Sequence, residues 1–260
     1  MMKWLKYIFL LFSVTAVSQN TIDLSFVKKS PLSVSVISGI DNFGTIYYTN
    51  NNAFYKKTPE KTTSYSNIQL GAITSTNTFN PLKINLFYKD FNTVIILDNR
   101  LAEIFKIDFN NTEPYKNVSH ISTGNDNTLW VFNQDLQKLE LYDYKSKTTR
   151  VATIPVTSNV LDLKSDYNFC WLLTEKFLYK YNYFGSLLMK TPNSGYTAIS
   201  VSNENVVLSS DISLYYLDKK SEKMTTIKTP ELLIKQFLLN NETLYIYDSK
   251  VLHEFQLKTK

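Results

Sequence analysis

The sequence predicts an all-β fold, a six-bladed β-propeller closed by its N-terminal strand, from three observations. Tyr, Phe, Ile, Val and Thr are plentiful, whereas Gly occurs only 6 times in 260 residues. That balance favours strands over helices. A two-strand motif recurs along the chain with a spacing near 40 residues, the period of a unit of four short strands. A lone strand precedes the first copy, and the last copy lacks its final strand, so the two ends can complete one sheet.

The chain opens with MMKWLKYIFLLFSVTAVSQN. Lys3 and Lys6 precede an apolar run from Ile8 to Val17, followed by Ala16-Val17-Ser18, small residues of the kind a signal peptidase reads. Residues 1–18 are therefore expected to be a secretory signal peptide, cut before Gln19. A membrane span needs roughly 20 apolar residues, so the run is short for an anchor, and no span is expected after cleavage. The mature chain, 19–260, is read as one domain. IDLSFVKK (22–29) is its lone first strand.

Six segments then share one rhythm: residues 41–57, 90–108, 125–143, 166–182, 203–219 and 240–257. Each opens on a polar turn, runs through four to six apolar or β-branched residues, turns again and returns as a second strand. Aligned at Thr45, Thr93, Thr128, Phe169, Val206 and Thr243, they lie 48, 35, 41, 37 and 37 residues apart. An apolar strand precedes each segment (SVSVISGI, LKINLFY, VSHIST, VLDLKS, YTAISVS, IKQFLLN) and is expected to be innermost. A fourth strand follows most of them and ends at Pro155, Pro192 or Pro230, with Pro114 a looser counterpart. Proline cannot donate to a ladder, which suits an exit from an edge strand. The blades fall at about 33–68, 69–115, 116–156, 157–193, 194–231 and 232–260, the last completed by 22–29. A pair of β-sandwich domains is the alternative architecture.

Chemical signals are few. Two histidines and one cysteine, far apart, make no zinc pattern. No nucleophile elbow, phosphate loop or dinucleotide fingerprint occurs. No cofactor, metal site or catalytic residue is expected. The net charge is +5 without any Lys/Arg block, so nucleic acid is not an expected partner. Cys170, in NFCWLL, reads as a buried small hydrophobe. The aromatic clusters at 47–55, 178–184, 214–217 and 244–247 read as filling between blades. Two places have a claim to binding. Asp98-Asn99-Arg100 is the most polar turn of the repeat, read as joining a second to a third strand beside the 69–82 insertion. An exposed Arg beside Asn could hold an anionic group. His120, in VSHIST, could face a central channel.

DNTLWVFN (126–133), followed by a strand ending LYDY, looks like repeat-propeller domains of extracytoplasmic bacterial proteins. FNPLKINLFYKDFNTVIILDNRLAEI resembles a stretch of uncharacterised secreted propeller-like proteins of the Bacteroidetes, most specifically over Asn80 to Ile104. The resemblance implies a propeller and an exported location, periplasmic, outer-membrane-associated or extracellular. It brings no catalytic motif. The WD signature, the kelch glycine pair and the sialidase Asp-box are absent. The expected function is a non-catalytic scaffold that binds a protein or a cell-envelope component. Two alternatives stand beside it: a propeller enzyme of lactonase, lyase or glycosidase type, and a glycan or small-molecule binder at the channel mouth.

Overall fold

Strands in this chain pair mainly with their sequence neighbours, and antiparallel, which the short polar turns between them allow. The computed structural model describes residues 21–219 and 221–258. The expected signal peptide, 1–18, lies outside them. After β1 (Thr21–Pro31), the first sheet runs β2 (Val36–Ile40), β3 (Ile46–Asn50), β4 (Ala53–Lys57) and β5 (Thr62–Ser66). The second is β6 (Ser75–Asn77), β7 (Ile84–Tyr88), β8 (Thr93–Leu97) and β9 (Glu103–Asp108). The third is β10 (Val118–Thr123), β11 (Thr128–Asn133), β12 (Lys138–Asp143) and β13 (Thr148–Ala152). The fourth is β14 (Val160–Ser165), β15 (Phe169–Thr174), β16 (Phe177–Asn182) and β17 (Leu187–Pro192).

The remaining strands are β18 (Ala198–Ser202), β19 (Asn205–Ser209), β20 (Leu214–Leu217), β21 (Met224–Lys228), β22 (Gln236–Asn240), β23 (Thr243–Tyr247) and β24 (Val251–Leu257). They form an eight-stranded sheet in the order β18-β19-β20-β21-β1-β24-β23-β22. β1 pairs parallel to β21 through Thr21–Asp23, then antiparallel to β24 from Leu24 to Pro31, with a bulge between Phe26 and Lys28. Three single-turn 3-10 segments are the only helical structure among the described residues. The architecture is an all-β propeller.

Burial follows position within each sheet. β7, β8, β11 and β19 are buried at every residue, because both faces of a middle strand are covered by neighbouring sheets. The outer strands β5, β13 and β17 are largely exposed. The core is accordingly not one mass but a series of apolar seams between successive sheets. Tyr47 and Phe54 pack on Leu86 and Ile95; Phe87 and Ile96 on Leu129 and Tyr142; Phe132 and Leu139 on Leu172 and Tyr179. Trp171 and Leu173 meet Ile199 and Leu208, while Val207 and Tyr216 meet Leu239 and Ile246. A last seam joins Leu32 and Ile37 to Tyr247 and Leu252. Each large side chain buried in this way contributes roughly 1.5–3 kcal/mol. Cys170 sits fully buried in one seam, where desolvation pushes its thiol well above the ordinary value.

One strand assignment is corrected. LKINLFY is not an innermost strand but the second, β7, and TVIIL and EIFKID are the third and outer strands rather than a middle hairpin. The innermost strand is the three-residue β6, Ser-Thr-Asn. It carries no apolar residue, so the hydrophobic pattern does not reveal it. The equivalent of Thr45 is thus near Ile84 instead of Thr93, which evens the spacing of the repeat.

The third sheet contains a buried ion pair. Lys116 and Glu140 are each 3% exposed, and the Lys116 ammonium donates to a Glu140 carboxylate oxygen. Thr149 Oγ1 donates to the same oxygen at 2.9 Å, and Asn133 Nδ2 donates to the other at 3.1 Å. Removing one partner of such a pair strands a buried charge. Lys116→Met is expected to cost about 3–5 kcal/mol in urea unfolding. Lys116→Met with Glu140→Gln, which removes the orphan charge and keeps an acceptor for Thr149 or Asn133, is expected to recover more than half of that loss.

Candidate functional site

The innermost strand of every sheet is an edge, so one row of its backbone N–H and C=O groups has no ladder partner. Here those strands are β2, β6, β10, β14, β18 and β22, and short polar side chains stitch each to the next. Asn77 on β6 donates to Ser122 Oγ on β10 at 3.1 Å and accepts from Thr123 Oγ1 at 2.8 Å. Ser165 on β14 lies 2.7 Å from Ser122 Oγ and against the Thr123 carbonyl. Asp162 on β14 accepts the Ile199 N–H of β18 at 3.1 Å. Ser200 and Ser202 on β18 accept the Leu239 and Asn241 N–H groups, each at 2.8 Å. Gln236 on β22 accepts the Ile37 N–H of β2 at 2.9 Å, and Thr78 donates to the Ser38 carbonyl of β2 at 3.4 Å. Gly39 permits that last approach, since a Cβ there would stand 2.1 Å from Thr78 Oγ1.

Of these strands, β2, β6, β14, β18 and β22 line a cavity of about 840 Å3, walled by Ser, Thr, Asn and Gln interspersed with Ile37, Ile199 and Leu238. Three aspartates, Asp41, Asp162 and Asp211, lie in its wall, and two of them are engaged. Asp162 also accepts from Lys164 at 3.2 Å, and Asp41 accepts the Phe43 and Thr45 N–H groups, each at 2.9 Å. Neither histidine lines it. Among the described residues no group of three His, Cys, Asp or Glu side chains is placed to hold a metal ion.

Because the strands alternate in direction, the molecule has two faces with different turns. One, the linker face, carries the connections between sheets and the turns between second and third strands. The other, the hairpin face, carries the turns between first and second and between third and fourth strands. The linker face exposes isolated apolar tips: Ile68, Phe91, Leu136, Ile154, Ile212 and Leu233, with Ile68 96% and Ile212 82% exposed. The hairpin face exposes Phe43, Leu82, Tyr167 and Phe184. There Phe79 and Tyr167, from the second and fourth sheets, meet at 4.6 Å between ring centroids. A chain of amides lies on the same face: Asn203 donates to Asn241, which donates to Asn42 at 2.9 Å.

The two residue groups singled out in the sequence are not brought together. Asp98, Asn99 and Arg100 form the turn between β8 and β9, third and fourth strands, so they lie on the hairpin face. The 69–82 stretch, expected on their face, is divided: its link into β6 lies on the linker face, and its β6–β7 turn lies on the hairpin face with them. Asp98 accepts the Arg100 and Ala102 N–H groups at 2.8 and 2.9 Å and the Arg100 guanidinium at 3.3 Å. Those N–H groups, Ala102 first, hold its carboxyl below the usual range. The Asn99 carbonyl accepts from Lys56 at 2.8 Å. The turn's polarity is largely spent on its own geometry. His120 is on β10, with Nδ1 3.1 Å from Ser119 Oγ, and desolvation lowers its pKa. The hydrophobic pattern does not single out the residues that line the cavity. Their signal is the recurrence of Ser, Thr and Asn inside otherwise apolar inner strands, as in LDLKS and AISVS.

No protein-family model and no curated protein sequence matches this chain. Solved structures do. A catalytically inactive histidine-to-alanine form of virginiamycin B lyase from Staphylococcus aureus, with quinupristin, is similar at TM-score 0.60 and 12% identity over 94% of this chain and 97% of that one. A streptogramin B lyase matches at TM-score 0.63 and 11% identity, covering 90% and 88%. A chain of a mitotic checkpoint complex matches at 0.59 and 9%, covering 98% of both. At these identities the likeness is one of fold.

The His120 environment gives a pH dependence with a defined sign. Its folded pKa lies below the unfolded value of 6.5, so the unfolded chain takes up the proton first. Stability is full above 6.5 and declines as the pH falls below it. In denaturation series from pH 7.5 to 5, His120→Gln is expected to flatten this decline, and the His120 NMR titration midpoint is expected below 6.5.

Proposed function

We propose that this chain is an exported, non-catalytic propeller of six blades that docks a protein or a cell-envelope component. The six-bladed reading takes the eight-stranded sheet as two blades, β18–β21 and β22-β23-β24-β1, that share β1. Three observations support it. The apolar seams include one from Leu32 and Ile37 to Tyr247 and Leu252. The inner-edge hydrogen bonds include Gln236 to Ile37. Tyr247 Oη accepts the Val34 N–H at 3.0 Å. On this reading one domain spans 19–260 and β1 closes the ring. Deleting residues 21–30, which uncovers the edges of β21 and β24, is expected to abolish cooperative thermal unfolding in calorimetry. A truncated chain that still melts in one sharp transition near the parent temperature would refute the closure.

The docking reading rests chiefly on the linker face, where apolar tips stand out in several successive sectors. Exposed apolar residues gathered on one face mark interaction surfaces. Export is supported by the leader pattern and by the Bacteroidetes resemblance. No helix among the described residues is long and apolar enough to cross a membrane. A chain of a mitotic checkpoint complex has the same fold, in keeping with a propeller that works within a protein assembly.

The enzyme alternative finds no histidine in the cavity, and of the three aspartates in its wall, Asp41, Asp162 and Asp211, two are engaged. Asp162 is tied to Lys164 and to a backbone N–H, and Asp41 is tied to its own turn. Mature protein immobilised on resin is expected to retain a discrete partner from envelope extract. Ile154→Asp with Ile212→Asp is expected to abolish that retention and leave the melting temperature within about 2 °C, since both side chains are exposed. Equal retention by the double variant would sink the assignment of the face.

A further inference from the structure

We infer that the cavity mouth on the hairpin face is a saccharide site, distinct from the protein-docking face. The cavity is about 840 Å3, inside the range of roughly 300–1,000 Å3 for small-molecule pockets. Its walls alternate hydroxyl and amide groups with aliphatic carbon. Thr76, Ser200, Ser202 and Asn240 contribute the polar share, Ile37 and Leu238 the apolar share. That mixture suits a molecule dense in hydroxyls on an apolar ring face. Charge plays a small part in that lining, for Lys164 is paired with Asp162 and most of the other polar groups are hydroxyls and amides.

The mouth adds what a sugar ring needs. Phe43, which lines the cavity, is 88% exposed, so an unburied aromatic ring stands at the opening. Phe79 also lines it and is met at 57° by Tyr167, which is 65% exposed and presents its ring to solvent. The folding of the sheets does not require either exposed ring, since neither belongs to an apolar seam. Between these rings runs the amide chain Asn203-Asn241-Asn42. Its direction leaves the Asn42 NH2 group as a donor at one end and the Asn203 carbonyl as an acceptor at the other. A pyranose hydroxyl both donates and accepts, so it matches either terminus. Aromatic faces at the rim and hydroxyl partners within are the two elements by which a neutral carbohydrate is held without charge.

The test uses the mature protein alone, so its failure leaves the docking reading intact. An array of tri- to hexasaccharides of glucose, galactose, mannose and N-acetylglucosamine is screened, and binders are titrated by calorimetry. Saturable binding by at least one series is expected. Phe43→Ala and Tyr167→Ala are each expected to weaken it about tenfold, the scale of one lost aromatic contact. Tyr167→Phe, which keeps the ring, is expected to stay within about twofold of the parent. Unchanged melting temperatures in all three variants establish that the fold is intact. The inference is overturned if no series gives saturable binding, or if binding survives Phe43→Ala combined with Tyr167→Ala.

Discussion

The unpaired inner edge of each sheet is the constraint on which the rest of this structure depends. An edge strand facing a channel must satisfy its backbone groups without a neighbouring strand. This chain solves the problem with side chains rather than with water alone. Ser122, Ser165, Ser200, Ser202, Asn77, Asp162 and Gln236 each reach a group on the adjoining inner strand. The solution sets both the spacing of the sheets and the chemistry of the cavity. Residues short enough to bridge two edges are also the residues that make the walls hydroxyl- and amide-rich.

Packing outward from that ring follows from it. Once the inner edges are fixed, successive sheets meet face to face, and the middle strands are buried on both sides. That explains why strands such as β8, TVIIL, lack the polar alternation of a half-exposed sheet. Aromatic rings fill the widening space between sheets, as Tyr47, Tyr142, Tyr181 and Tyr247 do. The outer strands have fewer neighbours and keep their charges in solvent.

How much of this was legible in the sequence depends on which residues carried it. Strands with long apolar runs, β11, β15 and β19, could be placed from pattern alone, and so could the aromatic filling. β6 could not, because a strand of three polar residues, of which Asn77 bonds to Ser122 and Thr123 of another sheet, has no local signature. Without β6 the repeat shifts by a strand, and Asp98-Asn99-Arg100 reads as a second-to-third-strand turn instead of a third-to-fourth-strand one. The cavity lining was hidden for a related reason. A serine in a strand looks like a weak strand former until the neighbouring edge it serves is known. Cavity and mouth are products of residues some 40 positions apart, and one sequence does not pair them.

The pairing of β1 with β24 couples the first described residues to the last. Leu24 faces Leu257 and Pro31 faces Val251. Joining segments so distant carries a loop-closure entropy of about 5 kcal/mol by chain statistics, which has to be met late. β1 precedes its antiparallel partner by more than 200 residues, so it is made long before that partner. Until then the edge of β1 stays open, with Phe26 and Val27 uncovered and Lys28 and Lys29 standing guard beside them. Closure of this sheet therefore waits until both distant segments are present, whatever the rest of the fold has already formed.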